Sequence, residues 1–467
     1  MQNRRLFSLF CLFFPLAFLL SYRARAGAFI PSAATLEFLQ DTGELLPVIS
    51  WAFCGALAAV LLYLIIAVRG RVDVRVYRQA VVIAALAVLG GQLLRLAQEM
   101  SLVKFLQVRN EYSAFADAQF VDPHAIAITP EKKRNLLVLS LESMDNIFAR
   151  RDVWGKDHIA KLTALARDNL AFSDYRNGAN QFWTMASLVA VNSGMPFINM
   201  RLGLGGMVDD NEMTERMSSV LPHALTLPDI LARHGFQTLF VSSGLVRFSN
   251  TLTFLRGHAF PAENIFAPDS NADDPDLREA VAQYQKTGRG WWGFSDEKAL
   301  QILQKKLTAI AARGHFYAFF SSIDTHPGIN PYLGGDMFTA YQRAAALVPA
   351  FLRWARKQPW YADTSIVIIG DHASMKSFPQ FTWQDHRIYN CFLNVPHAPG
   401  LKKERIFNQV DLFPTLLEAA GFAVPGGRLG WGTSLFSGRP TLVEEHGRNF
   451  LGTEFSKRSR KMLELWQ

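Results

Sequence analysis

The stretches NLLVLSLES, residues 135–143, and SIVIIGDH, residues 365–372, decide the fold of this chain. Each is a short run of aliphatic and β-branched residues, which is typical of a strand buried on both faces of a parallel sheet. Each run ends abruptly in ionisable side chains, Glu142 after the first and Asp371 and His372 after the second. The sequence therefore predicts two buried strands that carry carboxylates and an imidazole at their ends.

These three side chains are predicted to meet at one edge of the sheet. In open α/β sheets the ligand crevice lies outside the carboxyl ends of the strands, so residues far apart in the chain can share a site there. Oxygen and nitrogen ligands of this kind suit Zn²⁺ or Mn²⁺. Taken singly, each residue also fits a helix-capping acid or a hydrogen-bonded histidine. Three such residues at strand ends, Glu142, Asp371 and His372, favour a metal site.

Helical and strand patterns alternate along the rest of the chain. Helices are predicted at 158–170, 184–192, 226–234, 295–313 and about 338–357, and further strands at 237–242 and 315–323. Residues 264–293 are rich in Asp, Pro, Gly and Ala and are predicted to be a surface loop. The alternation predicts one α/β domain over residues 134–440, with a mostly parallel central sheet flanked by helices. Residues 441–467 are predicted to be a C-terminal tail.

The N-terminal part of the chain is predicted to be a membrane segment, within residues 1–100. The chain has 467 residues and is 49% hydrophobic, and the excess of apolar residues is concentrated there. A membrane span needs about 20 mostly apolar residues, which predicts transmembrane helices near 6–22, 46–68 and 79–97. The first run also fits a secretory signal peptide, because its apolar core is short and small residues follow it. Residues 101–133 are predicted to connect this segment to the domain.

The basic residues predict the orientation of the membrane segment. Arginines precede the first apolar run and crowd the loop between the second and the third: Arg4, Arg5, Arg69, Arg71, Arg75 and Arg78. Positively charged loops stay on the cytoplasmic side, so three spans place the large domain outside the cytoplasm. The sequence therefore predicts a multi-pass protein of a bacterial cytoplasmic (inner) membrane with an extracytoplasmic catalytic domain.

Charge and cysteine content exclude two other classes of protein. The formal charge of +8 is spread along the chain, and no zinc-finger spacing, RNP-like run or basic helix indicates a nucleic-acid partner. Basic patches near a bilayer more often contact anionic lipid headgroups. The three cysteines, Cys11, Cys54 and Cys391, do not form a disulfide framework, so the domain must depend on its core.

Two further residues are candidates for catalysis. Thr184 lies directly before the small-residue helix in NQFWTMASLVAVNSG, where unpaired N–H groups would favour a phosphate oxyanion. Metal coordination would make its hydroxyl a nucleophile, although the same position also fits an N-cap. His326, in FFSSIDTHPG, follows a buried strand and could bind a substrate phosphate or donate a proton to a leaving oxygen. Alternatively, His326 is a solvated loop residue.

The order of these motifs resembles the lipoteichoic acid synthase and phosphoglycerol transferase group of the alkaline-phosphatase-like (sulfatase-like) superfamily. The resemblance runs from about residue 135 to residue 436 and includes DLFPTLLEAAG at 411–421 and GTSLF at 432–436. It implies an alkaline-phosphatase-like fold and a single divalent ion, Mn²⁺ or Zn²⁺. It also implies the ligands of that ion, which would be Glu142, Thr184, Asp371 and His372, with Thr184 as the covalent nucleophile and His326 on the substrate side.

One stretch departs from the pattern of the polymer synthases in this group. Those enzymes carry a tryptophan and an arginine beside an asparagine that contacts glycerol phosphate, whereas this chain reads RFSNTLTFLR at 247–256. Asn250 matches the asparagine, and Arg247 or Arg256 would supply the positive charge. These three residues are the predicted substrate-binding positions.

The resemblance implies a phosphoglycerol transferase. Its donor would be an anionic phospholipid such as phosphatidylglycerol, and its acceptor a glycan or a polyol phosphate such as glycerol phosphate. One alternative is a phosphoethanolamine transferase, although those enzymes usually carry several disulfides and Cys391 is the lone cysteine of the domain. Sulfatase chemistry needs a modified Cys or Ser in a C/S-x-P-x-R setting, which Thr184-MASL does not offer. A catalytically idle protein that binds an envelope glycan or lipid is a third possibility.

Overall fold

The computed structural model describes residues 111–197, 217–270, 273–285, 293–327, 336–376, 378–397 and 400–467. The predicted transmembrane helices near 6–22, 46–68 and 79–97 lie outside these ranges. Among the helices within the ranges, none has both the length and the apolar character that a membrane crossing requires.

A six-stranded sheet forms the centre of the domain. Its strands, in chain order, are β1 (Asn135–Leu141), β2 (Gln237–Ser242), β3 (Ile265–Phe266), β4 (Phe316–Ser321), β5 (Thr364–Gly370) and β6 (Asn390–Leu393). Their order in space is β3-β2-β4-β1-β5-β6. All neighbours are parallel except β5 and β6, which confirms the predicted mostly parallel sheet. The two stretches that predicted the fold therefore lie side by side.

The central strands are apolar because both of their faces are covered. Every residue of β1 and β5 is buried. Leu136 and Val138 pack into the core on one face of the sheet, and Leu137 and Leu139 pack into the core on the other. A strand with two buried faces does not need to alternate apolar with polar residues. The sequence accordingly shows nearly continuous apolar runs in these strands.

Helices supply both covering layers. The α-helices among the described residues are α1 (Ala114–Gln119), α2 (Arg151–Trp154), α3 (Ala160–Asp168), α4 (Thr184–Ser193), α5 (Leu227–Arg233), α6 (Thr251–Gly257), α7 (Pro275–Gln285), α8 (Asp296–Ala311), α9 (Met337–Ala355), α10 (Gln409–Ala419), α11 (Leu442–His446), α12 (Arg448–Glu454) and α13 (Arg460–Trp466). Helices α4 and α10 contribute to the core on one face of the sheet, and α8 and α9 contribute to the core on the other.

The predicted surface loop at 264–293 was wrong in two places. Residues 265 and 266 form the edge strand β3, and residues 275–285 form helix α7. The side chain of Asp274 accepts hydrogen bonds from the backbone N–H groups of Asp276 and Leu277, and Pro275 occupies the first helical position. These are helix-start signals. The other predicted helices and strands begin and end within two residues of the observed limits.

The residues predicted to form a C-terminal tail contain helices α11, α12 and α13. Leu451, Met462 and Trp466 of these helices are buried in the same core as α4 and α10. They also pack near α1, since the Ser113 hydroxyl before α1 donates to the carboxylate of Glu454 at 2.6 Å. The two ends of the described domain are therefore in contact.

We expect Trp466→Ala to lower the free energy of unfolding by about 3–5 kcal/mol, because it leaves a cavity in the core. The side chain of Trp466 has no exposed surface, whereas Trp383 is 39% exposed. Urea titration followed by circular dichroism measures the change. The matched variant Trp383→Ala should lose less than about 1 kcal/mol. Equal losses in the two variants would contradict this role for α13.

Candidate functional site

The ends of β1 and β5 bring three ionisable side chains into one buried cluster. The two strands run parallel in a register that pairs Leu141 with Gly370, so the residues that follow them, Glu142 and Asp371, leave the sheet together. The Nε2 atom of His372 lies 3.4 Å from Oε1 of Glu142 and 3.4 Å from Oδ2 of Asp371. The structure thus brings together the three residues that the strand ends predicted.

Two atoms of this cluster fit a divalent cation. Oδ2 of Asp371 and Nε2 of His372 are buried and have no hydrogen-bond partner among the residues that the structure describes. Buried polar atoms are normally paired. The Nδ1 atom of His372 lies 2.9 Å from the carbonyl oxygen of Ala373, which can only accept, so Nδ1 carries the proton and Nε2 presents its lone pair to the cluster. Together with Glu142, one candidate ligand atom from each residue lies within 4.8 Å of the others.

Thr184 lies beside this cluster. It is the first residue of α4, its side chain is half-buried, and its hydroxyl donates to Oε2 of Glu142 at 3.0 Å. The N-cap residue of α4 is Trp183, so the alternative of Thr184 as a mere N-cap is wrong. Ser143 donates to the other carboxylate oxygen of Glu142 at 2.7 Å. Both oxygens of Glu142 are thereby fixed in direction.

The charges of the cluster are strongly coupled. Burial alone would raise the pKa of Glu142, but His372, His326 and the hydroxyls of Ser143 and Thr184 together hold it below the usual range. Burial and the charge of Glu142 raise the pKa of Asp371 to about 7. Burial would lower the pKa of His372, yet the two carboxylates raise it. A cation bound between these groups would relieve the repulsion between the two carboxylates.

Backbone geometry explains the glycine at position 370 and the contact made by Ser143. A Cβ atom on Gly370 would lie 2.3 Å from the carbonyl oxygen of Met144, so the position directly before Asp371 has no room for a side chain. Ser143 has φ of 50°, a conformation that costs free energy in a residue other than glycine. Its backbone N–H donates to Oδ1 of Asp371 at 2.8 Å, which offsets part of this cost and joins the two strand ends.

His326 lies near the cluster on the loop that follows β4. Its side chain is buried, and its charge affects the pKa values of Glu142 and His372. A pair of carboxylates, Asp324 and Asp296, holds this loop, and the sequence interpretation missed Asp296. Oδ2 of Asp324 accepts from the backbone N–H of Asp296 at 3.0 Å, and Oδ1 of Asp296 accepts from that of Ile323 at 2.8 Å.

The predicted substrate-binding residues are spread along α6 and the turn before it. Asn250 is buried in a left-handed conformation, and its side-chain oxygen accepts from the backbone N–H of Met217 at 3.0 Å. The start of α6 contacts the start of α4. Arg247 is exposed and donates to the backbone oxygen of Asp269 at 3.2 Å, and Arg256 is exposed in the last turn of α6. Their roles in binding stay predictions.

Three polar residues behind the cluster carried no local sequence signal. Nε2 of Gln409 donates to the carbonyl oxygen of Asp371 at 3.0 Å, and Asn177 accepts from the N–H of Ala373 at 3.1 Å. His386 is buried, with Nδ1 2.5 Å from Oδ2 of Asp145. Only the folded chain shows these contacts, because the partners are distant in sequence.

Comparison with known proteins shows which family the chain resembles. The model of the family described as Sulfatase matches residues 134–422. Phosphoglycerol transferase I from Salmonella choleraesuis is 26% identical over 262 residues, which are 53% of this chain and 32% of that protein. Phosphoglycerol transferase I from Escherichia coli O139:H28 is 25% identical over 331 residues, which are 66% of this chain and 40% of that protein. These matches confirm the predicted resemblance.

The chain spans about a third to two fifths of the length of these curated relatives. A crystal structure of a protein in the alkaline phosphatase superfamily from Vibrio parahaemolyticus is 20% identical to this chain. It has a TM-score of 0.48 and covers 68% of this chain and 75% of its own.

We expect the purified protein to bind about one equivalent of Zn²⁺ or Mn²⁺, and Glu142→Ala to weaken that binding by at least about a hundredfold. Loss of a ligand should cost more than loss of a residue that only orients one. Elemental analysis and isothermal titration measure stoichiometry and affinity. The control is Glu297→Ala, because Glu297 is exposed on α8. Metal content that is unchanged in Glu142→Ala would contradict the site.

The carboxylate pair behind His326 predicts a pH dependence of stability. Burial and the charge of Asp324 raise the pKa of Asp296 to about 8, against about 3.9 for an unfolded aspartate. The folded state therefore binds more protons than the unfolded state between these values, and stability falls as pH rises from about 4 to 8, by at most about 1.4 kcal/mol per pH unit.

Asp296→Asn should reduce this slope, since the amide does not titrate and its oxygen can still accept from the N–H of Ile323. Urea titrations at pH 6 and pH 8 measure the effect. Asp363→Asn, at an exposed position, should keep the slope of the unmutated protein. An unchanged slope in Asp296→Asn would show that other groups control the pH dependence.

Proposed function

This chain belongs to the sulfatase family, and we propose that it is a membrane-anchored, metal-dependent phosphoglycerol transferase. It would move a phosphoglycerol group from phosphatidylglycerol to a glycan or glycerol-phosphate acceptor. The similarity to phosphoglycerol transferase I supports the reaction type. The observation that carries the proposal is the Thr184 hydroxyl, which lies 3.0 Å from Glu142 beside the buried Asp371 and His372.

The residues of the cluster fit a divalent ion, which would be Mn²⁺ or Zn²⁺ held by Glu142, Thr184, Asp371 and His372. When bound, such an ion lowers the pKa of a coordinated hydroxyl and offsets negative charge on a phosphate. Glu142 also accepts the hydroxyl hydrogen of Thr184 and so orients Oγ1. The predicted nucleophile therefore has a fixed direction of attack.

The start of α4 is suited to a phosphate group. Helices leave their first backbone N–H groups without helical partners, and no side chain in the described ranges caps those of α4. These N–H groups and the positive end of the helix dipole favour the oxygens of a phosphate next to Thr184. Asn250, with Arg247 or Arg256, would contact the glycerol headgroup.

The reaction would proceed in two displacements at phosphorus. In the first, the hydroxyl proton of Thr184 passes to Oε2 of Glu142, which already accepts its hydrogen bond. A bond forms between Oγ1 and phosphorus, the bond to the diacylglycerol oxygen breaks, and that oxygen takes a proton from His326. In the second, the acceptor hydroxyl gives its proton to His326 and attacks phosphorus, and Oγ1 leaves and takes its proton back from Glu142. His326 returns to its starting state, so atoms and protons balance over the cycle.

A membrane location would serve this chemistry. Predicted spans near 6–22, 46–68 and 79–97 would hold the catalytic domain on the extracytoplasmic side of a bacterial inner membrane, close to anionic phospholipid headgroups. Holding donor and enzyme on one surface raises the frequency of productive encounters.

We expect Thr184→Ala to lower turnover by roughly three orders of magnitude or more, because it removes the nucleophile. The full-length protein is incubated with phosphatidylglycerol labelled in its glycerol headgroup, and release of diacylglycerol and labelling of the protein are followed. Unmutated protein should carry the label on Thr184 by mass spectrometry. The control is Thr163→Ala in α3, which should keep full activity.

Full activity of Thr184→Ala would reject the scheme. The mass of the product separates the two enzymes that the sequence left open, since phosphoethanolamine and phosphoglycerol differ in mass. A protein that binds its metal but releases no diacylglycerol and acquires no label from either lipid would instead be an idle binding protein.

A further inference from the structure

A cluster of three arginines lies apart from the metal site. Oδ1 of Asp174 accepts a hydrogen bond from Nε of Arg176 at 2.5 Å, and Nε of Arg387 lies 2.5 Å from the same oxygen as an ion pair. The third arginine, Arg448, is close enough that the charges of the other two act on it. Asp174 is the carboxylate within ion-pair distance of Arg176 and Arg387, and the charges of Asp145 and Asp385 also act on Arg387.

Arg448 differs from Arg176 and Arg387 because its positive charge is not paired with Asp174. Among the described residues, it has no hydrogen-bond acceptor and no carboxylate within ion-pair distance. The side chain of Arg448 is exposed overall. Partial burial of its guanidinium and the charges of Arg176 and Arg387 lower its pKa, with only Asp174 acting in the opposite direction. Like charges held together in this way are unfavourable unless an anion joins them.

A cavity opens beside these arginines. It has a volume of about 270 Å³, and Arg176 and Arg448 line its polar side. Its apolar wall includes Phe407, Leu451 and Phe455. The cavity thus offers guanidinium donors next to an apolar recess.

One carboxylate lines the cavity, but its oxygens are occupied. Oδ1 of Asp411 accepts from the backbone N–H of Thr433 at 2.8 Å, and its Oδ2 accepts from that of Asn408 at 2.9 Å. Arg176 uses three of the five N–H groups of its guanidinium in contacts with Asp174 and Gln384. Within the described part of the chain, its other two N–H groups and those of Arg448 have no acceptor. The balance of charge and donors at the cavity therefore favours an anion.

The cavity is distinct from the metal site. None of Glu142, Thr184, Asp371 and His372 lines it. Asn177, which does line it, accepts from the N–H of Ala373, so one side chain separates the two sites. Arg448 also lies outside residues 134–422, which the family model matches.

We propose that Arg448 and Arg176 form a second, non-catalytic site for a phosphate monoester or diester. Arg387 would keep its ion pair with Asp174 when the ligand binds. Guanidinium groups bind phosphate oxygens through paired, charge-assisted hydrogen bonds. The recess behind them would take an apolar part of the same ligand. This inference does not depend on the proposed transferase activity.

Isothermal titration of the full-length protein in detergent with inorganic phosphate tests the site. We expect Arg448→Gln to weaken binding about tenfold or more, because it removes charge-assisted hydrogen bonds. The matched control is Arg458→Gln, which makes the same charge change at an exposed residue that does not line the cavity. Arg448→Lys should restore part of the affinity but not all, since lysine lacks the planar fork.

The same titration in a Glu142→Ala background separates this site from the metal site. Binding that persists there and still depends on Arg448 supports the proposal. Three results would overturn it: no phosphate binding by the unmutated protein, equal weakening by Arg448→Gln and Arg458→Gln, or complete loss in Glu142→Ala.

A second titration identifies the source of the phosphate. Short-chain dihexanoyl phosphatidylglycerol is compared with free phosphate at equal ionic strength, below its micelle concentration. Tighter, Arg448-dependent binding of the lipid would assign the site to a phospholipid headgroup with its chain in the recess. Binding of free phosphate alone, again dependent on Arg448, would assign it to a soluble phosphate-bearing ligand.

Discussion

The structure depends on two buried carboxylates held side by side at the ends of adjacent parallel strands. Glu142 and Asp371 would repel each other in any environment of low dielectric, and burial makes each charge more costly still. The fold nevertheless places them there, with His372 between them and backbone N–H groups fixing Oδ1 of Asp371. A cation bound at this position would offset the repulsion between the two carboxylates.

The rest of the domain serves this arrangement. Covering helices on both faces allow β1 and β5 to be wholly buried and mostly apolar, so the ionisable residues that follow them stand out in the sequence. Helix α4 lies on one face with its first residue, Thr184, against Glu142, and the loop after β4 brings His326 to the same edge. Gly370 has no side chain because the backbone at Met144 passes too close to allow one. Each of these constraints comes from packing, and together they determine which atoms face the centre.

Much of the centre could be predicted from the sequence because its signals are local. Apolar runs that end in Glu142 or in Asp371 and His372 identify strands and their polar ends, and helix α4 follows from its small-residue pattern. Asp296, Gln409 and Asn177 could not be found, since their roles depend on contacts with residues far along the chain. Helix α7 was missed because Asp, Pro and Gly in its surroundings indicate loops, although Asp274 and Pro275 are also helix-start signals. The membrane segment lies outside the described residues.

The two edge strands of the sheet affect whether many copies of the protein, present at high concentration, associate with one another. The edge strand β3 has two residues and β6 has four, so neither offers a long row of unpaired amides to a neighbouring molecule. On β6, Phe392 also donates its outward N–H to the carbonyl oxygen of Leu170 at 2.7 Å. Short or covered edges oppose strand-to-strand association. Many copies crowded on one surface should therefore remain separate instead of joining through their sheets into aggregates.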